Sequence, residues 1–441
     1  MADNGRKLKI AFCVYRGNPY SGGQGVYTKH LTEALTDLGH SVTVFSGPPY
    51  PELDGRVELV KVPSLELYRD PDPFRVPKLS EFRTIFDLIE FGLMSTGAFP
   101  EPRVFGYRAR RLLRPRMLQF DVLHDNQSLS WSIVKLQSQG LPTVASIHHP
   151  ITVDRELEFA AAKNVKARIG IFRFYSFVGF QKKVARRIPL ILTVSEVSKV
   201  DMVASMKIDP ERVKVVPIAV DTTVFRPIDT ITREKHQIVT TASADVALKG
   251  LIYLVAAVAE LIDEFPTVTL VIIGAKRENS DVQQLVKKMR LEDRIFFLGK
   301  VSQTEIVEQY ARATVACVPS VYEGFSLPAI EAMACGTPLV VTDGGALPEV
   351  VGQDQTAALI ARAKDGSSLA SAIATIFRDE KLARSLSHHA RLRVLSNYSW
   401  RSTALATVEC YYKVIDPTGL GYDEQVAQDD FQEPQAYKAS S

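Results

Sequence analysis

Apolar runs alternate with amphipathic segments along most of this 441-residue chain. Runs such as Leu8–Tyr15 and Thr143–Ile147 predict buried strands, and Val26–Leu38 has the apolar spacing of a helix. Strands that are separated by helices predict a parallel sheet covered on both faces. The alternation resumes after Asp221–Arg233, which contains Pro227 and is typical of a linker. The sequence therefore predicts an α/β fold of two doubly wound, Rossmann-like domains, with a deep interdomain cleft at the carboxyl ends of their strands.

The predicted domains are residues 1–220 and 221–399, followed by a long aromatic helix at 400–416. The tail, 417–441, is rich in Gln, Asp and Ser and is predicted to be disordered. The alternation is interrupted in the segment 66–103 by Pro71, Pro73, Pro77 and Pro100, so we expect loops there around one short helix, Ser80–Leu93.

The composition excludes several classes of protein. Hydrophobic residues make up 46% and charged residues 23% of the chain, values that are ordinary for a soluble globular protein. The net charge of +3 is too small to predict nucleic-acid binding. The four cysteines have no paired spacing, which favours buried thiols in a reducing compartment over a metal site. No apolar run is long enough to span a membrane, and the polar N-terminus is unlike a signal peptide, so a cytoplasmic location is expected.

Two carboxylates, Glu323 and Glu331, stand eight residues apart in a strand–turn–helix–strand unit. Pro328 fits the first turn of a helix predicted at Pro328–Cys335, since a proline there loses no backbone hydrogen bond. The free amides of residues 324–328 would form the positive end of that helix, which suits a phosphate or a sugar oxygen. Carboxylates on either side can accept hydrogen bonds from hydroxyl groups. The unit is therefore predicted to hold a sugar phosphate.

The run Glu323–Glu331 is followed by Ala332–Pro338 and then by Thr342–Gly345 through Glu349. Together these residues resemble the E-x7-E signature of family-four retaining glycosyltransferases. The resemblance implies the GT-B fold, with acceptor binding in the N-terminal domain and donor binding in the C-terminal domain. It also implies that the helix at 400–416 crosses back to the N-terminal domain.

A glycine loop, Ser21–Val26, stands between the first strand and the first helix. It lacks the G-x-G-x-x-G spacing, so a nicotinamide cofactor is poorly supported, and a plain turn is the alternative. The resemblance places Gly22 and Gly23 near the donor phosphates and the acceptor. It also implies that a histidine at the end of the strand Thr143–Ile147 hydrogen-bonds the donor sugar. His148 is the first choice and His149 the second, and a packing or capping histidine is the alternative.

Lys249, before Gly250, matches the lysine by which the family reaches the donor diphosphate. The family's arginine position corresponds to Ser243, whose hydroxyl cannot replace the bidentate bonds of a guanidinium to phosphate. Another cation could substitute, the donor could be unusual, or activity could be low. The resemblance also places the nucleobase near Lys300 and Val301, although loop closure alone would explain the neighbouring glycine.

The resemblance further assigns a role to each residue of the E-x7-E unit. Glu331 would bind the ribose hydroxyls, Glu323 would contact the transferred sugar, and Lys249 would hold the phosphates. The implied catalytic residues are Glu323, His148 and Lys249. The implied donor-binding residues are Gly22, Gly23, Ser243, Lys249, Lys300, Val301, Gly324, Phe325, Ser326, Leu327 and Glu331.

The predicted function is retaining transfer of a hexosyl group from a UDP- or GDP-sugar to a glycan, a lipid-linked or a small-molecule acceptor. No metal and no cofactor are expected, because a helix N-terminus and a lysine can neutralise the departing diphosphate. Two alternatives are a nucleotide-sugar binding protein with weak or no activity, which Ser243 motivates, and another GT-B enzyme such as a phosphorylase or an epimerase.

Residues 163–187 combine eight basic side chains with interleaved aromatic rings, and a second basic cluster runs from Arg108 to Arg116. A basic amphipathic helix can lie on an anionic membrane surface, which predicts peripheral membrane contact and would suit a lipid-linked acceptor. The alternative is an ordinary helix that packs its aromatic rings inward and exposes its charges.

Overall fold

A computed structural model provides the structure of the chain. It describes residues 6–19, 23–69, 72, 74–148, 151–152, 155, 158–159, 162, 164–242, 247–277 and 280–417. Gly22, Ser243, His149 and the tail from 418 onward lie outside these ranges.

The chain divides into two compact units. One comprises Met1–Ile147, Ile151–Leu192 and Ala404–Ser441, and the other comprises His148–Pro150 and Thr193–Thr403. The boundary between residues 220 and 221 stays a prediction. So do the acceptor-binding and donor-binding roles of the two domains.

A seven-stranded sheet forms the centre of the N-terminal half, in the order β3-β2-β1-β4-β5-β6-β7. Every residue of β4 and β5 is buried, as expected for central strands covered by helices on both faces. The strands are β1 (Lys9–Val14), β2 (Ser41–Ser46), β3 (Glu58–Lys61), β4 (Val122–Asn126), β5 (Thr143–Ser146), β6 (Leu190–Thr193) and β7 (Val213–Val215). The helices that follow or separate them are α1 (Gln24–Asp37), α2 (Ile85–Ser95), α3 (Glu101–Leu113), α4 (Trp131–Gln137), α5 (Val165–Phe174), α6 (Ser176–Ala185) and α7 (Glu196–Met206).

A second, six-stranded parallel sheet has the order β10-β9-β8-β11-β12-β13. The strands are β8 (Gln237–Thr241), β9 (Thr269–Ile273), β10 (Ile295–Phe297), β11 (Val315–Val318), β12 (Leu339–Thr342) and β13 (Leu359–Ala361). The helices are α8 (Leu251–Leu261), α9 (Asp281–Lys288), α10 (Gln303–Arg312), α11 (Leu327–Ala334), α12 (Leu347–Val351), α13 (Gly366–Arg378), α14 (Glu380–Asn397) and α15 (Trp400–Ile415).

Alternate residues of the second sheet pack into two separate cores. Ile238 and Leu270 belong to a cluster with α8 and α13, whereas their neighbours Val239 and Val271 belong to a cluster with α11 and α14. Successive strand side chains point to opposite faces, so a sheet with helices on both sides needs apolar residues at consecutive positions. This explains why these strands appear in the sequence as continuous apolar runs.

In each sheet the strand order reverses direction once, between β1 and β4 in the first and between β8 and β11 in the second. Such a reversal leaves a crevice at the carboxyl ends of the two strands, where open α/β sheets bind ligands. The prediction of two doubly wound α/β domains is thereby confirmed. No helix among the described residues has both the length and the apolar character that crossing a membrane requires.

The segment 66–103 differs from its prediction in detail. The helix expected at Ser80–Leu93 begins only at Ile85, because Thr84 and Asp87 cap it there, and Leu79–Glu81 forms a separate 3-10 turn. Helix α3 was not predicted as a helix.

Candidate active site

The E-x7-E unit connects β11 to α11 at the point where the second sheet reverses direction. Ser326 precedes the helix with extended backbone, and its Oγ accepts a hydrogen bond from the Ala329 amide at 3.4 Å. Pro328 stands in the first turn, as the sequence predicted, although the helix begins one residue earlier, at Leu327. Glu323 therefore lies in the loop before the helix, and Glu331 lies within the helix.

Glu323 and Lys249 are in direct contact. The Lys249 Nζ donates to Glu323 Oε1 at 2.8 Å, and Ser320 Oγ donates to the same oxygen at 2.8 Å. The side chain of Glu323 is 11% exposed and that of Lys249 is 27% exposed, so the pair is held at the edge of solvent. An ammonium group has three N–H donors, so Lys249 can bind Glu323 and still donate to a phosphate.

Backbone contacts hold both partners of this pair in place. The Val321 amide donates to the Leu248 carbonyl at 2.8 Å, which ties the loop of Glu323 to the segment that carries Lys249. Gly250 has a φ of 65°, and a Cβ there would lie 1.9 Å from the Pro319 carbonyl oxygen. Only glycine meets both conditions, so Gly250 lets the two segments approach closely.

A second glycine supports the loop from the other side. Gly345 has a φ of 66°, and a Cβ on it would lie 2.3 Å from the Glu323 carbonyl oxygen. The next amide, of Ala346, donates to that same oxygen at 2.8 Å. The turn Asp343–Gly345 therefore fixes the backbone at Glu323, a role that sequence reasoning did not assign to it.

The residues after Glu323 are bound to neighbouring helices. The Gly324 carbonyl accepts hydrogen bonds from Ser195 Oγ at 2.5 Å and from Ser198 Oγ at 3.0 Å. The Phe325 ring packs edge-on against Tyr398, with a centroid distance of 5.9 Å. Sequence reasoning missed Ser195 and Ser198, because nothing in their spacing connects them to Gly324, which is 129 and 126 residues away.

Glu331 has a different environment from Glu323. It is half-buried, and burial raises the pKa of its carboxyl group to about 7. Its negative charge in turn contributes to the raised pKa values of Tyr310 and Cys335, after the larger effect of their own burial. A carboxyl group that burial disfavours as an anion gains free energy from hydroxyl or amide donors supplied by a ligand.

The other residues that the sequence predicted for the site lie on several different elements of the fold. His148 follows β5, is half-buried, and has a pKa that burial lowers to about 4, so its ring is neutral at pH 7. Lys300 is exposed and Val301 packs at the core that also contacts Phe325. Both follow β10, which is the edge strand, two strands away from β8. Gly23 has a φ of 72° and directly precedes α1. Leu327 is 40% exposed.

Within the basic stretch 163–187 the structure describes two helices, α5 and α6, with different surroundings. In α6, Phe177, Val178 and Phe180 are buried, as the packing alternative predicted. In α5 the structure describes no buried residue, and Val165, Ile169 and Phe172 are exposed. Of the second basic cluster, Arg108 is buried.

Comparison with known proteins places this chain in a family. Residues 227–393 match the family model "Glycosyl transferases group 1", and residues 21–224 match "Glycosyltransferase Family 4". The chain is 45% identical over 409 residues to an MMP alpha-(1->4)-mannosyltransferase of Mycolicibacterium hassiacum, with 92% of this chain and 98% of that protein covered. It is 27% identical over 437 residues to a D-inositol 3-phosphate glycosyltransferase 2 of Catenulispora acidiphila, covering 93% and 95%.

Among solved structures, a sucrose-phosphate synthase from Thermosynechococcus elongatus is similar in fold, with a TM-score of 0.67 and 22% identity, covering 92% of this chain and 99% of that one. The fold is accordingly that of the GT-B glycosyltransferases. With both halves matched and a relative at 45% identity along nearly its whole length, the chain belongs to the group 1 and family 4 glycosyltransferases and is a transferase.

Proposed function

We propose that this protein is a retaining mannosyltransferase that moves mannose from a nucleotide diphosphate mannose to a carbohydrate hydroxyl. The name of the 45%-identical relative supports an α-(1→4) linkage and an acceptor of the kind abbreviated there as MMP. The observation that carries the proposal is the Lys249–Glu323 pair, held directly before the first turn of α11. Catalytic machinery in this arrangement favours an enzyme over a binding protein.

The donor diphosphate would bind at the N-terminus of α11. The amides of Gly324, Phe325, Ser326 and Leu327 would supply part of its hydrogen bonds, and the remaining N–H groups of Lys249 would supply a positive charge. Glu331, one turn into the helix, would accept hydrogen bonds from the two ribose hydroxyls. Binding to hydroxyl donors would compensate the burial that raises its pKa.

The reaction replaces one bond at the anomeric carbon by another. The bond from C1 to the diphosphate oxygen breaks, the acceptor oxygen bonds to C1 on the same face, and the acceptor proton passes to the departing diphosphate. The helix amides and Lys249 stabilise the negative charge that develops on the leaving group. Glu323 would orient the transferred sugar through its hydroxyls, and neutral His148 would hydrogen-bond the same sugar. This chemistry needs neither a metal nor a cofactor.

The test is transfer from GDP-mannose, UDP-mannose, GDP-glucose and UDP-glucose to methyl α-(1→4)-mannobioside. Mass spectrometry would detect the extended product, and the one-bond carbon–hydrogen coupling at the new anomeric centre would identify its configuration. We expect an α-linked trisaccharide from one of the mannose donors, with a glucose donor slower by at least about tenfold, the discrimination that one well-placed hydroxyl contact provides.

The matched variants are Glu323→Gln, in the site, and Glu292→Gln, an exposed carboxylate in the same half of the chain. Transfer should fall in the first and stay unchanged in the second. A β-linked product would contradict retention, and equal transfer by Glu323→Gln and wild type would contradict the site.

We further propose that α5 supports peripheral contact with anionic membranes, on the evidence of its exposed Val165, Ile169 and Phe172 beside Lys166 and Arg168. Flotation with vesicles of phosphatidylglycerol and phosphatidylcholine would test it, with pure phosphatidylcholine vesicles as the control. Binding that Ile169→Ser and Phe172→Ser abolish would support the contact. Equal recovery of wild type and the double variant would reject it.

A further inference from the structure

A small polar cavity lies at the carboxyl ends of β1, β2 and β3 in the first compact unit. Tyr15 follows β1 and Gly47 follows β2, and Ser64 comes three residues after β3. Helices α2 and α3 close the cavity with three charged side chains, Glu90, Glu101 and Arg108. Its volume is about 10 Å³, which is room for one group the size of a water molecule.

One side of the cavity is fully paired. Arg108, 6% exposed in its side chain, donates to Glu90 at 2.6 Å and also to Asp87. Glu90 additionally accepts hydrogen bonds from Ser64 Oγ at 2.7 Å and from the Leu65 amide at 3.3 Å. The charges of this side are satisfied within the protein, so it forms a rigid wall.

The other side is not satisfied. The side chain of Glu101 is 10% exposed, and its Oε2 has no hydrogen-bond partner among the residues that the structure describes. Its other oxygen lies 3.6 Å from the guanidinium of Arg16, which is an ion pair beyond hydrogen-bond distance. Burial raises the pKa of Glu101 to about 7, with Arg16 lowering it and Glu90 raising it to lesser extents. A buried carboxyl oxygen without a partner costs free energy, which a bound donor would recover.

The size and charge of the cavity select the ligand group. A phosphate or carboxylate is too large for this volume and would bring a second negative charge against Glu101, whose Oε2 has no hydrogen-bond partner among the described residues. An apolar group would leave the Glu101 oxygen unpaired. A hydroxyl group fits, because it donates one hydrogen bond and accepts others. Tyr15, whose pKa is raised to about 12 chiefly by burial, keeps its proton and can donate to such a group.

We propose that this cavity is a subsite for one hydroxyl group of the carbohydrate acceptor, and that Glu101 accepts its hydrogen bond. The inference rests on the proposed function. The residues assigned to the donor, Lys249, Glu323 and Glu331, belong to the other compact unit, whereas the cavity stands at strand ends of the first sheet. Carboxyl ends of parallel strands are where such sheets bind ligands, so the acceptor is the substrate that this cavity serves.

The experiment compares wild type, Glu101→Gln and Glu101→Ala in mannosyl transfer to methyl α-(1→4)-mannobioside and to its singly deoxygenated derivatives. Glu101→Gln keeps the shape of the side chain if Glu101→Ala folds poorly. The control is Glu58→Gln, which removes an exposed carboxylate of the same unit that pairs with Arg116. Acceptor-independent hydrolysis of the donor is measured in parallel, because it reports the donor site alone.

We expect both Glu101 variants to raise the acceptor KM by about 10- to 100-fold, the loss of one charge-assisted hydrogen bond, while donor hydrolysis stays within about twofold of wild type. One deoxygenated acceptor should show the same loss with wild type and no further loss with Glu101→Ala.

Unchanged acceptor KM in a folded Glu101 variant would overturn the inference and leave a structural water as the occupant. Equal loss of transfer and hydrolysis would overturn it too, as a purely structural role. Absence of transfer by wild type to the mannobioside would instead reject the proposed function and this inference together.

Discussion

Glu323 and Glu331 are eight residues apart in the same motif, yet the structure gives them opposite environments. Glu323, in the loop, accepts hydrogen bonds from Lys249 and Ser320 at 2.8 Å each. Glu331, in the helix, is half-buried, and burial alone accounts for the rise of its pKa to about 7. One carboxylate is therefore stabilised by a cation inside the protein, and the other is poised to gain its partners from a ligand.

The same residue type can therefore serve two tasks in one motif. A carboxylate bound to a lysine is a fixed point that positions both its own oxygens and the ammonium group. A carboxyl group destabilised by burial binds hydroxyl donors with a larger gain, because water has already been removed from it.

The largest effect is expected from Lys249→Met. The substitution removes the positive charge that would face the departing diphosphate. It also leaves Glu323, whose side chain is 11% exposed, without its cation. We expect kcat to fall by about 10²- to 10³-fold, as for loss of other groups that stabilise a developing anion. Single-turnover rates would measure it, with Lys381→Met, an exposed lysine of α14, as the control. A fall of less than about threefold would show that the pair does not take part in catalysis.

A smaller effect is expected from Glu331→Gln. The amide keeps the shape but loses the charge that would receive the ribose hydroxyls. The donor KM should rise by about 10- to 30-fold with kcat nearly unchanged, because charge-assisted hydrogen bonds exceed neutral ones by this order. Initial rates over a range of donor concentrations separate the two constants. If kcat falls and the donor KM does not, Glu331 acts on the reacting centre instead of the nucleotide.

The pH dependence should identify Glu331 directly. With a pKa of about 7 in the free protein, its carboxyl group loses its charge as the pH falls through neutrality. We expect kcat/KM for the donor to drop about tenfold between pH 8 and pH 6 in wild type, and to stay flat in Glu331→Gln. A pH profile of the two proteins under identical buffers makes the comparison. An unchanged acidic limb in the variant would assign the titration to another group.

The two carboxylates should also differ in the sign of their effect on stability. The pKa of Glu331 is raised from its ordinary 4.5 to about 7. Its contribution to stability is therefore largest below about pH 4.5 and declines as the pH rises through 7. At pH 8, Glu331→Gln should be more stable than wild type by about 1 to 3 kcal/mol, and the gain should vanish near pH 4.5.

Glu323→Gln should do the reverse, lowering the unfolding free energy by about 1 to 3 kcal/mol at pH 8, since it replaces the charge-assisted bond from Lys249 by a neutral one and leaves the ammonium group without its counter-charge. Urea unfolding at the two pH values measures both variants. Shifts of equal sign at pH 8 would contradict the proposed contrast between the two environments.

Much of the architecture follows from local sequence patterns. The strand predicted at Thr143–Ile147 is observed as Thr143–Ser146, and the helix predicted at 400–416 is observed as Trp400–Ile415. Helix α3 was missed because its inner face includes Arg108, which is buried against Asp87 and Glu90 and so breaks the apolar periodicity. An ion pair buried between two helices leaves no signal in either helix alone.

The individual residues of the site could be predicted from the sequence, but the contacts between them could not. Lys249 and Glu323 were each named from the motif that contains them, but their bond joins residues 74 positions apart. The anchoring of Gly324 by Ser195 and Ser198 depends on how α7 packs within its compact unit. The roles of His148, Lys300 and Val301 stay predictions, as do those of Gly22 and Ser243.

Local sequence patterns specify the alternating α/β architecture and the loop–helix unit of Glu323 to Glu331. Both depend on the period of apolar residues and on turn and cap residues, which act between near neighbours in the chain. Packing between distant segments decides which carboxylate meets a cation and how burial raises the pKa of Glu331, and among the described residues it leaves Glu101 Oε2 without a hydrogen-bond partner. These properties depend on the removal of water and on side chains that approach from distant segments, and neither is encoded at a single position.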